Sequence, residues 1–315
     1  MAYTNTNANM TTSTGLTPGM QTYYNRTLLK VFEPELVHLQ FGEQFPLPPN
    51  NGNVMQMRKI LPIPAKTTAL TEGNPGTGAM LAETAVTVEV HQYGDHAEFT
   101  DFLDLTHIDV NLAKKVELMG NAGARSLDAL VRDELATCTN VIYAGGKASR
   151  SALTSADKLT SVELRKAVRL LKKNLAQSFE GYYVAIVGPD TVYDLQDDDA
   201  FVKVSQYQEK ENIYRGEVGR LYGVRFVETT EAKIFEKAGA SNADVASVIV
   251  LGKSAYGLTS VKGGAAPRVI VKPAGSAGTA DPLDQINSVG WKLDGFAVKL
   301  LQPEFAVRIE CGFSA

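Results

Sequence analysis

The sequence predicts an α+β fold, and three observations support that reading. Strand-like runs of period two and helical stripes of period 3.6 are mixed along the chain, without the regular βαβ alternation of a parallel sheet. No internal repeat organises it. Of its 315 residues 44% are hydrophobic and 21% charged. That is a globular composition, with length for two lobes or for one domain with large excursions.

Residues 1–20 are mostly Thr, Asn, Ser, Gly, Ala and Met, and the first charged side chain is Arg26. Such a segment cannot bury enough apolar surface to order itself, so it reads as an arm that orders by lying on a neighbour. Leu28, Leu29, Phe32, Leu36 and Leu39 recur at near-helical spacing, with Pro34 interrupting or restarting the helix. Phe45-Pro46-Leu47-Pro48-Pro49-Asn50-Asn51-Gly52 closes the arm as an extended, turn-rich connector.

Two strand-like runs, Val54–Ile63 and Ala85–Phe99, flank the segment Thr71-Glu72-Gly73-Asn74-Pro75-Gly76-Thr77-Gly78. Val86, Val88 and Val90 alternate with Thr87, Glu89 and His91, the pattern of a half-buried strand. Together they predict a long two-stranded excursion with a flexible tip. Two strands alone are marginal in water, so the hairpin is expected to rest on something else, another subunit being one such support.

A long helix is expected over Asp109–Thr139, with Asp109 as N-cap. Leu112, Val116, Met119, Gly123, Leu127, Leu130 and Leu135 form its stripe, while Lys114, Lys115, Arg125, Arg132 and Asp133 lie largely off it. At 1.5 Å per residue it would be roughly 45 Å long, the length of a strut. After Gly145-Gly146, Thr160 and Glu163 make a capping box, and Leu159 and Leu164 a hydrophobic staple. That helix continues through Ala167, Val168, Leu171 and Leu175, with Arg165, Lys166, Arg169, Lys172 and Lys173 mostly elsewhere on its surface. Strands are expected at Tyr182–Val187, Val224–Val227, Val245–Leu251, Trp291–Leu301 and Phe305–Ile309. Gly188-Pro189 opens a short helix, and a Gly/Ala/Pro-rich loop occupies residues 263–280.

Motifs for chemistry are absent. Asp197-Asp198-Asp199 could hold Mg²⁺ or Ca²⁺, but the Asp-x-Asp-x-Asp-Gly spacing of a calcium loop is missing, and a solvated turn is the favoured reading. Gly252-Lys253-Ser254 resembles the end of a phosphate-binding loop, yet position 247 is Ser where that loop requires Gly. His38, His91, His96 and His107 make no metal-ligand pattern and read as scattered surface or partly buried residues; His91 and His96 would face opposite sides of one strand. Cys138 and Cys311, the only cysteines, suit a reducing compartment and have no histidine nearby in sequence. The cations of the capped helix lack interleaved aromatics and read as a solvated face. The net charge of −4 argues against a protein whose main task is gripping phosphates. No run approaches the roughly 20 apolar residues of a membrane helix, and no secretory signal is visible, so synthesis in a cytoplasm is expected. No catalytic, cofactor-binding or metal-binding residue is assigned.

The order of these parts resembles the major capsid proteins of tailed bacteriophages, with the Hong Kong phage type of capsid fold. Three stretches resemble the capsid family named after coliphage N four: Gly216-Glu217-Val218-Gly219 with Gly223-Val224-Arg225-Phe226-Val227-Glu228-Thr229, then Asp281-Pro282-Leu283-Asp284-Gln285, then Val289-Gly290-Trp291-Lys292. The resemblance runs from about Met20 to the C-terminus. It implies an N-terminal arm (1–52), an extended β-hairpin loop (53–100), a peripheral domain with a spine helix (101–155), an axial domain (156–280) and C-terminal strands returning to the peripheral domain (281–315).

The same resemblance implies a major capsid protein that self-assembles as pentamers and hexamers into an icosahedral head. That head would enclose double-stranded DNA without sequence-specific binding, and a mildly acidic lining suits such a container. The expected partners are further copies of the chain, a separate scaffolding protein, a portal and, optionally, a decoration protein, with no membrane. The scaffold is expected to be separate because the arm lacks a long charged helical segment. The protein would reside in the virion after synthesis in the host cytoplasm. Residues 53–100 would lie across a neighbouring subunit, with Lys59, Lys66, Glu72, Asn74 and Pro75 of the hairpin and Arg125 and Arg132 of the long helix as inter-subunit contacts. Some phages of this fold cross-link the loop through lysine and asparagine; no asparagine partner is identifiable here, so that chemistry is not carried over. Two alternatives stand beside the capsid: the shell of a bacterial nanocompartment, which shares the fold, and a soluble metal-dependent enzyme using Asp197–Asp199.

Overall fold

A computed structural model describes residues 37–60, 63, 65–69, 72–73, 78, 80–81, 83–106, 112–198, 220–261, 267–276 and 281–314. The expected arm up to residue 36, the N-cap Asp109, His107, Asn74, Pro75, Asp199 and the Gly216–Gly219 motif lie outside these residues.

Fourteen strands and four α-helices are described, mixed as the α+β reading requires. In chain order they are β1 (Glu43–Leu47), β2 (Val54–Ile60), β3 (Glu83–Glu89), β4 (His91–Thr100), α1 (Asp101–Thr106), α2 (Leu112–Leu135) and β5 (Val141–Tyr143). Next come α3 (Ser161–Lys173), β6 (Tyr183–Val187), α4 (Pro189–Gln196), β7 (Arg220–Leu221), β8 (Val224–Glu228) and β9 (Ile234–Phe235). The chain continues with β10 (Val245–Leu251), β11 (Tyr256–Val261), β12 (Arg268–Lys272), β13 (Ile286–Leu300) and β14 (Ala306–Cys311).

The central sheet has the order β5-β14-β10-β6-β8-β7, with β9 also on β10. Strands β6 and β10 are buried on both sides because both sides are covered. Tyr183, Ala185 and Val187 of β6 join Val248 and Val250 of β10 against α3. The alternate residues Val184, Ile186, Ile249 and Leu251 face the other way, toward α2 and β13. Helix α3 supplies Leu164, Ala167 and Leu171, all fully buried. Leu159 and Leu164, the expected staple, are both buried in this core.

A second sheet has the order β1-β11-β13-β12, with β4 on the other edge of β13. Helix α2 packs Ala124, Leu127, Val131 and Leu135 against Trp291, Leu293, Phe296 and Leu300 of β13. Each such large side chain contributes about 1.5–3 kcal/mol on burial. The 15-residue β13 bends at a register break between Leu293 and Phe296. Gly295 sits there because a Cβ would come within 2.6 Å of the Val261 side chain.

The structure corrects several element expectations. The run Ala85–Phe99 is not one strand: it breaks at Val90, where β3 pairs with β2 and β4 pairs with β13. Helix α2 ends at Leu135, four residues early, and its 24 residues span about 36 Å. Thr137 turns its hydroxyl back to the Glu134 carbonyl at 2.7 Å, the local competition that makes Thr a poor helix continuer. Strand β1 includes Pro46, expected only in a connector, because an edge strand tolerates a residue without an N–H. Strands β11 and β12 lie among Gly-rich turns that hid their short apolar runs.

Candidate subunit-contact surfaces

Strands β2 and β3 form a sheet of their own, in antiparallel register from Val54↔Glu89 to Ile60↔Glu83. The root of this hairpin is braced within the subunit. Val88 and Val90 are buried with Leu47 and Ala297, and Met55, Met57 and Val261 pack around them. Lys59 reaches across to Glu304 at 3.1 Å. The Glu304 carboxyl is held below its ordinary range by its own backbone N–H and, against some burial, by Lys59. The hairpin root therefore rests on its own subunit. Among the described residues between β2 and β3, Ile63, Met80 and Leu81 are 53%, 92% and 67% exposed. Lys66 and Glu72 are exposed in the same segment.

Arg125 and Arg132 project from α2 toward one acceptor. Arg125 Nε donates to Glu231 Oε1 at 2.7 Å, and Arg132 donates to the Glu231 carbonyl at 3.2 Å. Arg132 and Lys233 also hydrogen-bond Asp133, at 3.2 and 2.9 Å. Burial raises the Asp133 pKa, but these two cations outweigh it and hold the carboxyl below its usual value. Both arginines thus tie the long helix to the loop after β8 inside one subunit.

Two further ties were not singled out from the sequence. His38 is buried, not superficial: Asp128 accepts its backbone N–H at 2.9 Å and lies 2.5 Å from its Nδ1. The Tyr256 hydroxyl donates to the His38 carbonyl, joining β11 to the same point. An acid on the apolar side of α2, one position after Leu127, is the signal that marks this site in the sequence. Glu310, fully buried in β14, accepts two hydrogen bonds from Arg150 at 2.7 and 2.6 Å. Arg308 forms a second ion pair with it at 2.8 Å.

Asp198 accepts the Ser161 N–H at 2.7 Å and so caps α3. Thr160 is the N-cap residue as expected, but its hydroxyl donates to the Glu163 carboxylate and accepts no backbone N–H of the helix. Among the described residues no group of three or more His, Cys, Asp or Glu side chains could hold a metal. Both cysteines are buried and free. Burial is the main cause raising the Cys138 thiol above its usual pKa, and it pushes Cys311 up to about 12. His91 and His96 are exposed on β4, five positions apart. No helix is long and apolar enough to cross a membrane among the described residues.

Comparison with known proteins agrees with this architecture. A family model described as phage capsid protein matches residues 83–309, which take in β3, the long helix and most of both large sheets. No curated protein matches the chain. The fold is shared with the capsid of Ralstonia phage GP4, at TM-score 0.68 and 13% identity over 87% of this chain and 88% of that one. The capsid of cyanophage Pam1 gives TM-score 0.68 and 16% identity over 90% and 92%. The capsid of cyanophage P-SCSP1u gives 0.66 and 16% over 89% of each. The matching family is described only as phage capsid protein, and the narrower likeness to the coliphage N four group remains one of short motifs. The chain belongs to the phage capsid protein family: it is a major capsid protein of the tailed-phage kind, a structural subunit of the virion shell.

Proposed function

We propose that this subunit assembles as pentamers and hexamers into an icosahedral head around double-stranded DNA, through a hairpin loop laid over a neighbouring subunit. The observation that carries this reading is the division of the hairpin. Its root is packed on its own body, while Ile63, Met80 and Leu81 stand exposed beyond it. Exposed apolar side chains on a projecting loop favour a covering partner, and in a shell that partner is another copy. Many weak contacts per subunit then act together once the shell closes.

The five-part division expected from the sequence belongs to the same proposal, as do a separate scaffolding protein, a portal, optional decoration and synthesis in the host cytoplasm. Lys66, Glu72, Asn74 and Pro75 remain the proposed loop contacts. Lys59, Arg125 and Arg132 would reach a neighbour only in addition to the partners they hold within the subunit. No catalytic role is proposed: the two thiols are buried with raised pKa values, and Asp198 serves as a helix cap.

Electron microscopy of the expressed chain, with its scaffold where needed, tests the reading. Closed shells are expected, and discrete small oligomers under every condition would refute it. Deleting Glu72–Thr77 should leave the unassembled subunit folded and abolish closure. Loss of subunit folding would instead place the tip in the subunit's own core.

A further inference from the structure

Helix α3 turns its apolar side to the central sheet, and its outer side is almost wholly cationic. Its only acid, Glu163, is buried and engaged by Thr160 and Lys166. Arg165, Arg169, Lys172 and Lys173 are exposed. At 100° per residue the four lie within an arc of about 100°, and Arg165 to Lys172 spans about 10 Å along the axis. None of the four forms an ion pair among the described residues. These cations stand without a paired acid among the described residues, on a chain of net charge −4.

The sequence showed no aromatic residue interleaved with these cations; the fold supplies one. Strands β7 and β8 are joined by Tyr222-Gly223, both at positive φ, 51° and 78°. This is the geometry of a tight two-residue hairpin turn. Glycine adopts it freely, whereas a tyrosine there costs about 1–2 kcal/mol. The strained turn holds the half-exposed Tyr222 ring beneath Arg165, whose guanidinium carbon lies 5.3 Å from the ring centroid. On the same hairpin the cross-strand partners Arg220 and Arg225 lie 4.7 and 5.8 Å from the Tyr182 ring centroid. An arginine stacked on a ring is restrained in orientation while its N–H groups can still grip an anion in bidentate fashion. Backbone strain of this kind recurs where a side chain must be held for binding.

We propose that Arg165, Arg169, Lys172 and Lys173, with Tyr222, form a binding face for the phosphate backbone of nucleic acid, without sequence preference. Phosphate contacts by Lys and Arg suffice for such binding. An acidic protein segment fits less well. Protein interfaces are poor in lysine and need an apolar centre, and the only aliphatic side chain exposed on the helix itself is Val162. With the rest of the chain net acidic, this face would orient a bound polyanion. The proposal concerns the subunit and does not depend on shell geometry.

The test is fluorescence anisotropy of the full chain with a short labelled DNA duplex over a potassium chloride series. The logarithm of affinity should fall linearly with the logarithm of salt, with a slope of about −2.7 to −3.6 for three or four neutralised phosphates. The triple variant Arg165→Gln/Arg169→Gln/Lys172→Gln should flatten that slope by roughly 2.7 and weaken low-salt binding at least tenfold. Arg165→Lys keeps the charge and should keep the slope, while losing affinity a few-fold. If the triple variant fails to fold, Lys172→Gln alone should reduce the slope by about 0.9. A wild-type slope in the glutamine variants would overturn the proposal. So would equally tight binding of polyglutamate with the same dependence on these residues, which would assign the face to an acidic protein. Shell formation, scored separately by microscopy, would stand in either case.

Discussion

Asp128→Ala removes the carboxylate that fixes the start of the described chain to the long helix. Asp128 and His38 are each 1% exposed, and the carboxylate takes the His38 backbone N–H at 2.9 Å and lies 2.5 Å from the ring Nδ1. Hydrogen bonds to a charged group contribute about 1.5–3 kcal/mol each, and a buried donor left without a partner costs about 1–3 kcal/mol. Water cannot readily replace the lost acceptor in a site this closed, so the two losses should together reach about 3–5 kcal/mol. The folding equilibrium would then shift by a factor of roughly 10²–10⁴. Urea unfolding of the unassembled subunit can be followed by Trp291, the only tryptophan, which lies in the same core. Asp128→Asn keeps one acceptor oxygen and should lose about half as much. The His38→Ala/Asp128→Ala pair should be less destabilised than the sum of its single variants, because each removes the other's partner. A loss below about 1 kcal/mol for Asp128→Ala, or strict additivity of the pair, would refute the reasoning.

Two other outcomes follow from paired carboxylates. Glu310→Ala leaves Arg150 and Arg308 without their shared carboxylate at a fully buried position, and should cost about 3–5 kcal/mol in the same urea assay; a loss under 1 kcal/mol would show that water already screens the cluster. Acid should destabilise the subunit. Asp133, Asp194 and Glu304 are held below their ordinary values: burial raises Asp133 and Asp194 but their partners outweigh it, while its own backbone N–H leads for Glu304. Unfolded Asp and Glu titrate near pH 3.9 and 4.3. The unfolded chain therefore binds more protons, so this stability is present above about pH 4 and is lost as the pH falls through the lower folded values. Asp194 takes the Ser314 N–H and hydroxyl at 2.9 and 2.7 Å, so Asp194→Asn should flatten part of the acid limb. Urea midpoints that rise on acidification below pH 4 would contradict this.

The sequence alone determined the kinds of element and most of their positions, because hydrophobic period and capping are local properties. The stripe of α2, the staple of α3 and the apolar runs of β6 and β10 all lie where their residues predict. The hairpin was legible too, from valines alternating with polar residues. Pairing was not legible, because strand partners are chosen by what lies on both faces at once. Nothing local tells Val88 to face β2's side of the break at Val90 while β4 joins β13. The contact residues divide in the same way. Arg125 could be picked out as off the apolar stripe, but its partner Glu231 lies 106 residues along the chain. Only the tertiary structure decided that this arginine braces its own subunit, that His38 is buried against Asp128, and that Tyr222 stands beneath Arg165. Long-range partners of charged groups depend on burial and distance, and neither is fixed until the sheets have packed.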